Sequence, residues 1–242
     1  MSRPDAFFIA PDAFAEPFAL TGGEANHCAR VLRKKAGERL RAFDGQGREG
    51  LFTITAVSRD RVDLAPVSLE TVARPAGGIH LAVGFSRSAR RDFFLEKTVE
   101  LGAAGIIFWQ SARTQGRMPE TPKPSWDAVL VAAAKQCGAA WLPSLTMVPG
   151  GAAGLADWGA ARFSRRALLW EDADCRDRLT VADLAVPEAP LFVLGPEGGL
   201  TEAEVATFRE AGFSPVSLGP RILRWETAAL AVLALGLAAA PA

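Results

Sequence analysis

The chain has 242 residues, with 27 Lys/Arg balanced by 27 Asp/Glu, 49% hydrophobic and 22% charged residues. That length admits one large or two small domains with ample core, and the balance is that of an ordinary globular protein. Zero net charge argues against a nonspecific polycation. Three widely spaced cysteines (Cys28, Cys137, Cys175) and two distant histidines (His27, His80) argue against a disulfide framework or a zinc site, and fit a reducing cytoplasm.

Glu24 to Arg33 is the one helix predicted in the N-terminal region. His27 and Cys28 are neighbours on it and point about 100° apart, so they read as a partly buried histidine beside a core cysteine rather than a base and its nucleophile. Arg30 and Arg33, three residues apart, are expected on one helix face. The bland reading is a solvated charged face, the sharper one a phosphate clamp, because guanidinium binds phosphate oxygens as a fork. Seven Lys/Arg between His27 and Arg48 against Glu38 and Asp44 favour an anionic partner here, whereas nine acids against Arg176 and Arg178 stand between Glu171 and Glu204.

Three alternating runs come next, Arg39–Phe43, Leu51–Val57 and Arg61–Ala65, and predict a small barrel. Between the first two, Gly45-Gln46-Gly47-Arg48-Glu49-Gly50 spells G-x-G-x-x-G. A dinucleotide site needs a helix after the glycines; a strand stands there instead, so Asp44-Gly45 reads as a hairpin turn. Pro75 and the Gly77-Gly78 pair mark a boundary near Thr71–Gly78, giving domains 1–72 and 73–242.

Beyond it strands and helices alternate: strand Ile79–Phe85, helix Arg90–Leu101 closed by Gly102, strand Gly105–Trp109, helix Ser125–Cys137 ended by Gly138, and a short strand Ala167–Trp170. The Gly/Ala-rich stretch 147–160 carries no clear period. The order predicts an α/β domain with a largely parallel sheet. Two apolar runs then end in Gly-Pro turns 24 residues apart. Leu191–Leu194 enters Gly195-Pro196-Glu197-Gly198-Gly199, and Val216-Ser217-Leu218 enters Gly219-Pro220-Arg221. Thr201-Glu202-Ala203-Glu204 between them reads as a capped helix start. Ligands of open α/β sheets bind at loops off the carboxyl ends of strands, so these two loops predict a small-molecule pocket. Glu197 is placed to accept from a hydroxyl or amine or to face a cation. No phosphate-loop lysine and no nucleophile elbow occur. The apolar run Ala228–Ala242, fifteen residues, is short for a bilayer and reads as a buried or interface helix. No basic-then-apolar signal opens the chain, so a cytoplasmic location is expected.

Taken together, these motifs resemble the RsmE family of ribosomal RNA methyltransferases, in the SPOUT superfamily. The resemblance rests on Asn26-His27 with Arg30-Val31-Leu32-Arg33, Phe43-Asp44-Gly45, Lys97 to Gly102, Ser111-x-Arg113, Gln136-Cys137-Gly138, Gly195 to Gly199, and Leu218 to Ala228, and it spans almost the whole chain. It implies a PUA-like RNA-binding β-barrel followed by an α/β domain with a C-terminal trefoil knot, which periodicity alone does not reveal. It further implies a homodimer that methylates N3 of one uridine in 16S rRNA of the small ribosomal subunit, with S-adenosylmethionine as donor and neither metal nor membrane involved. The implied cofactor contacts are Leu194, Gly195, Pro196, Glu197, Gly198, Gly199, Leu218, Gly219, Ile222, Leu223, Thr227 and Ala228. Arg224 is the expected catalytic residue, and Arg30, Arg33, Lys34 and Arg113 the expected RNA contacts. The family often has Glu before Gln136 and Arg after Gly138; here Lys135 and Ala139 rearrange the local charge. Two other readings compete: a SPOUT enzyme acting on another RNA, and an RNA-binding protein altered in catalysis. A nicotinamide oxidoreductase is disfavoured, because the only G-x-G-x-x-G lies between strands.

Overall fold

The computed structural model describes residues 4–87, 89–170 and 177–239. Cys175 and the acids at 171–174 lie outside these described residues. The chain forms two compact units, residues 1–74 with 131–142 and residues 75–130 with 143–242.

The first unit contains β1 (Ala6–Phe8), β2 (Ala19–Thr21), α1 (Gly22–Asn26), a π-helical turn (His27–Val31), β3 (Arg39–Phe43), β4 (Arg48–Val57) and β5 (Arg61–Thr71). The strands form one curled sheet in the order β1-β3-β4-β5-β2. Alternation in β4 puts Phe52 and Ile54 inside, against Phe7, Phe18, Leu20, Leu40 and Val62. Register shifts between β4 and β5 at Leu51/Phe52 and Ile54/Ala56 add local twist, which helps the sheet curl around this core. The unexpected β1 and β2 have three residues each, too short to carry a period.

The expected helix Glu24–Arg33 is corrected. It starts at Gly22 and changes pitch at His27, where Leu32 N–H donates to the His27 carbonyl five residues back. Arg33 lies past its end in the left-handed region, at φ 53°. The three-residue spacing of Arg30 and Arg33 therefore does not place them on one regular helix face. Cys28 is fully buried as expected, but His27 is exposed, tilted against Phe7.

The second unit is built on a six-stranded sheet, every pair parallel, in the order β11-β9-β10-β6-β7-β8. Its elements are β6 (His80–Gly84), α2 (Arg91–Glu100), β7 (Gly105–Trp109), the first half of α3 (Pro124–Cys137, whose residues from Val131 on belong to the first unit), β8 (Ser144–Val148), α4 (Gly151–Ala160), β9 (Arg165–Leu169), β10 (Pro190–Leu194), α5 (Glu202–Glu210), β11 (Ser214–Val216) and α6 (Trp225–Ala239). Strands β7 and β10 are buried along their whole length and are continuous apolar runs, as strands covered on both faces must be. One core cluster joins Ala82, Ile107, Trp109, Leu155, Leu168, Val193 and Phe208. The stretch 147–160 resolves into the end of β8 and α4. The strand expected at Val216–Leu218 lies two residues earlier, and the C-terminal helix begins three residues before Ala228, at Trp225. Among the described residues no helix is long and apolar enough to cross a membrane. Strand β10 sits between β6, from which the chain runs outward through β7 and β8, and β9, with β11 at the opposite edge. The order reverses there, and a crevice opens at the carboxyl ends of the strands.

Candidate functional site

At that reversal lies a cavity of about 480 Å³. Its floor is the turn after β10. Gly199 N–H donates to the Pro196 carbonyl at 2.8 Å, and Gly199 takes φ 71°. The turn lies directly on β6: a Cβ at Gly84 would stand 2.6 Å from the Pro196 ring, and one at Gly195 would stand 3.0 Å from the Gly199 carbonyl carbon. Glycine is needed at both places for close backbone approach, not for flexibility.

The turn is held from the far side by a capping box. Thr201 Oγ1 accepts from Glu204 N–H at 3.2 Å, and Glu204 Oε2 accepts from Thr201 N–H at 2.9 Å. Glu204 is buried, and its other oxygen accepts from Ala112 N–H at 2.8 Å. Beside it, Arg113 donates to the Gly198 carbonyl at 2.8 Å. Two bonds thus fasten the loop after β7, one to the loop after β10 and one to the first turn of α5.

The second wall is the loop from β11 to α6. Gly219 N–H donates to Ser217 Oγ at 3.1 Å, and Gly219 takes φ 131°, which closes the turn. Glu197 Oε1 accepts from Ser86 Oγ at 3.0 Å and from the Trp225 indole N–H at 3.2 Å, joining the loops after β6 and β10 to the start of α6. Glu226, also buried, is paired with Arg90. On the other side of Ser86 the Arg91 guanidinium donates to the Ser86 carbonyl and lies over the rings of Phe85 and Trp126 at 4.9 and 5.0 Å. Burial lowers the Arg91 pKa from its ordinary value, opposed by the Asp92 and Glu197 charges.

Ten of the twelve residues expected at the cofactor line this cavity: Leu194, Gly195, Pro196, Glu197, Gly199, Leu218, Gly219, Ile222, Leu223 and Ala228. Gly198 and Thr227 do not. Arg224, exposed, is also in the wall. Arg221, Trp225 and Glu226, inside the Leu218–Ala228 motif, line it as well, as do Arg90 and Trp170, which escaped sequence reasoning. Nothing local marks Arg90, which reaches Glu226 from 136 residues away. Ile222 is 80% exposed, an apolar side chain beside an open cavity.

The other expected RNA contacts belong to the first unit. Arg30 and Arg33 are exposed. Lys34 is held by Asp5 at 2.7 Å and Glu38 at 3.5 Å, and the Asp5 hydrogen bond raises its pKa. Lys135, the charge that departs from the family pattern, pairs with Glu24 and lies over the Phe7 ring.

A cavity at the switch point of a parallel sheet, walled by glycine turns and lined by both signs of charge, defines a small-molecule site of an α/β protein. The RNA methyltransferase domain family matches residues 74–236, and the RNA methyltransferase PUA domain family matches residues 20–67. The chain belongs to the ribosomal RNA small subunit methyltransferase E family. The enzyme of that name from Bacillus subtilis is 28% identical over 229 residues, covering 90% of this chain and 89% of the relative. The one from Mycobacterium bovis is 30% identical over 224 residues, covering 88% and 82%. Among solved structures, a Legionella pneumophila methyltransferase in complex with the bound cofactor SAM is similar at TM-score 0.84, with 28% identity and 98% of each chain covered. A Neisseria gonorrhoeae ribosomal RNA small subunit methyltransferase E bound to S-adenosyl methionine is similar at TM-score 0.81, with 28% identity and 96% of each chain covered.

Proposed function

We propose that this protein transfers a methyl group from S-adenosylmethionine to N3 of one uridine in the 16S rRNA of the small ribosomal subunit. The observation that carries the reading is the cavity formed by the two Gly-Pro loops, in a chain similar over nearly its full length to structures that hold this cofactor. The cavity suits the group. Its volume falls in the range of small-molecule sites, Leu194, Leu218, Ile222 and Leu223 offer apolar surface to an adenosine, and Glu197, Glu226, Arg221 and Arg90 offer both signs of charge to a methionine zwitterion.

When bound, the cofactor supplies an electrophilic methyl on a sulfonium. The rest falls to the protein. Uracil N3 is a protonated imide nitrogen, poor as a nucleophile at neutral pH. A guanidinium beside a uracil oxygen favours the deprotonated form, and Arg224 in the cavity wall is the residue we assign to that task. Glu226 is paired with Arg90. Glu197, tied by Ser86 and Trp225, fixes the relation between the two loops, so positioning is built in before substrate arrives. N3 is occupied in a base pair, so the target must be unpaired or extruded. Arg30 and Arg33 on the PUA-like unit, with Arg113 beside Gly198, supply phosphate contacts in this reading. Domains at 1–72 and 73–242, a trefoil knot threading the two loops, a homodimer and a cytoplasmic location complete it.

Calorimetric titration with S-adenosylmethionine is the first test. Saturable one-site binding that Gly195→Val abolishes is expected. No binding by the wild-type chain overturns the enzyme reading and leaves an RNA-binding protein altered in catalysis.

A further inference from the structure

On the far side of Ser86 from the cofactor cavity is a second cleft, lined by Phe85, Arg87, Arg91, Arg117 and Lys123 with Glu120 as its single acid. Four cations against one anion stand out in a chain with no net charge. Arg117 and Glu120 are 3.8 Å apart and both almost fully exposed, so their pair is weak. Arg87 and Lys123 are exposed, and Arg91 is clamped over Phe85 and Trp126.

The loop that supplies half of this cleft is organised. The Gln110 side chain accepts from Met118 N–H at 2.9 Å and donates to the Gly116 carbonyl at 3.2 Å, clasping the loop across its neck. Gly116 takes φ 89°, and a Cβ there would stand 2.7 Å from Arg87 Nε, so the Arg87 side chain approaches the bare backbone closely. A guanidinium held over aromatic rings, flanked by three more cations, one of them on a clasped loop, is chemistry for phosphate oxygens. None of these residues is among the RNA contacts expected from the sequence.

We propose that this cleft holds backbone phosphates of the substrate RNA beside the target uridine, with Arg87, Arg117 and Lys123 as contacts and Arg91 as the positioning residue. Ser86 is the link. Its carbonyl accepts from Arg91 in the cleft, and its hydroxyl donates to Glu197 in the cofactor cavity. A strand seated in the cleft is thereby registered against the methyl-transfer site. The proposal rests on the rRNA methyltransferase reading given above.

The test measures affinity for small-subunit rRNA against salt concentration, with S-adenosylmethionine affinity as a control for folding. Arg87→Ala/Lys123→Ala is expected to lower the slope of log K against log salt by roughly 1.4 to 1.8, the value for two lost phosphate contacts, with cofactor affinity kept. Arg162→Ala/Arg165→Ala, an equal charge loss elsewhere on the same unit, is expected to leave the slope unchanged. An unchanged slope in the cleft variant overturns the proposal, as does an equal drop in both variants. If the wild-type protein binds no rRNA, the methyltransferase reading itself fails and takes this one with it.

Discussion

Two glycine-rich turns in this chain use similar letters for opposite ends. At Gly45-Gln46-Gly47 the space beside the backbone is filled by the protein: a Cβ at Gly45 would stand 2.7 Å from Leu142, and one at Gly47 2.6 Å from Trp141 and 2.7 Å from the Val72 carbonyl. Asp44 is buried beneath this turn and accepts from the Gln46 and Arg48 amides at 2.7 and 3.0 Å. At Gly195 to Gly199, Gly195 also presses backbone on backbone, but Gly195 and Gly199 line an open cavity. A glycine motif thus marks close approach. The next element along the chain, a strand in the first case and a capped helix beneath a second loop in the other, decides whether the thing approached is the protein or a ligand.

Mutations that treat the two turns differently sharpen this contrast. The largest effect is expected from Arg224→Ala, in the wall of the open site. Turnover should fall about 10²–10³-fold, the cost of a lost charge-stabilising donor, while cofactor affinity measured by calorimetry is kept. Full turnover at saturating cofactor would remove Arg224 from the mechanism. Next comes Gly47→Ala, in the filled turn. The left-handed backbone and the Trp141 and Val72 contacts together should cost about 2–4 kcal/mol of stability in denaturant unfolding. Cofactor affinity should be unaltered in buffer, and a loss of affinity without a loss of stability would break the contrast. Ile222→Ala should do the reverse: cofactor binding weakened about tenfold, since an exposed apolar side chain that a ligand covers contributes about 1–2 kcal/mol, with no loss of stability.

The smallest effect is a pH dependence confined to the first unit. Burial raises the Cys28 thiol above its usual 9.0, with Lys34 opposing. The folded value lies above the unfolded one, so this contribution is intact below pH 9.0 and is lost as pH rises through the folded value. Melting temperatures from about pH 7 to 10.5 should fall more steeply above the ordinary thiol range for the wild type than for Cys28→Ala, and the chain's lack of tyrosine keeps that window clear of phenol titration. Parallel curves would show that Cys28 is not desolvated.

Much of the second unit was legible because its strands are apolar runs closed by glycine and its helices are capped. Gly105–Trp109 is found with the expected bounds, and Thr201 is the expected N-cap, which Glu204 completes as a capping box. The first unit was legible wherever strands alternate over five residues or more. The features that were missed depend on contacts distant in sequence. The π-helical turn at His27, the Arg90–Glu226 pair and the Ser86–Glu197–Trp225 junction have no local signature. The stretch 147–160 hid a strand end and a helix because glycine and alanine suit several conformations. Arg30 and Arg33 show the limit of spacing arguments: a rule for regular helices fails when Arg30 stands in a π-helical turn and the helix has ended before Arg33.

The central claim is the identity of the methylated atom. Small subunits from a strain lacking this protein, incubated with the purified chain and isotope-labelled S-adenosylmethionine, should yield one labelled nucleoside in 16S rRNA when mapped by mass spectrometry. A single uridine carrying the label on N3 is the expected result. Label on a ribose oxygen or on any other base would contradict it.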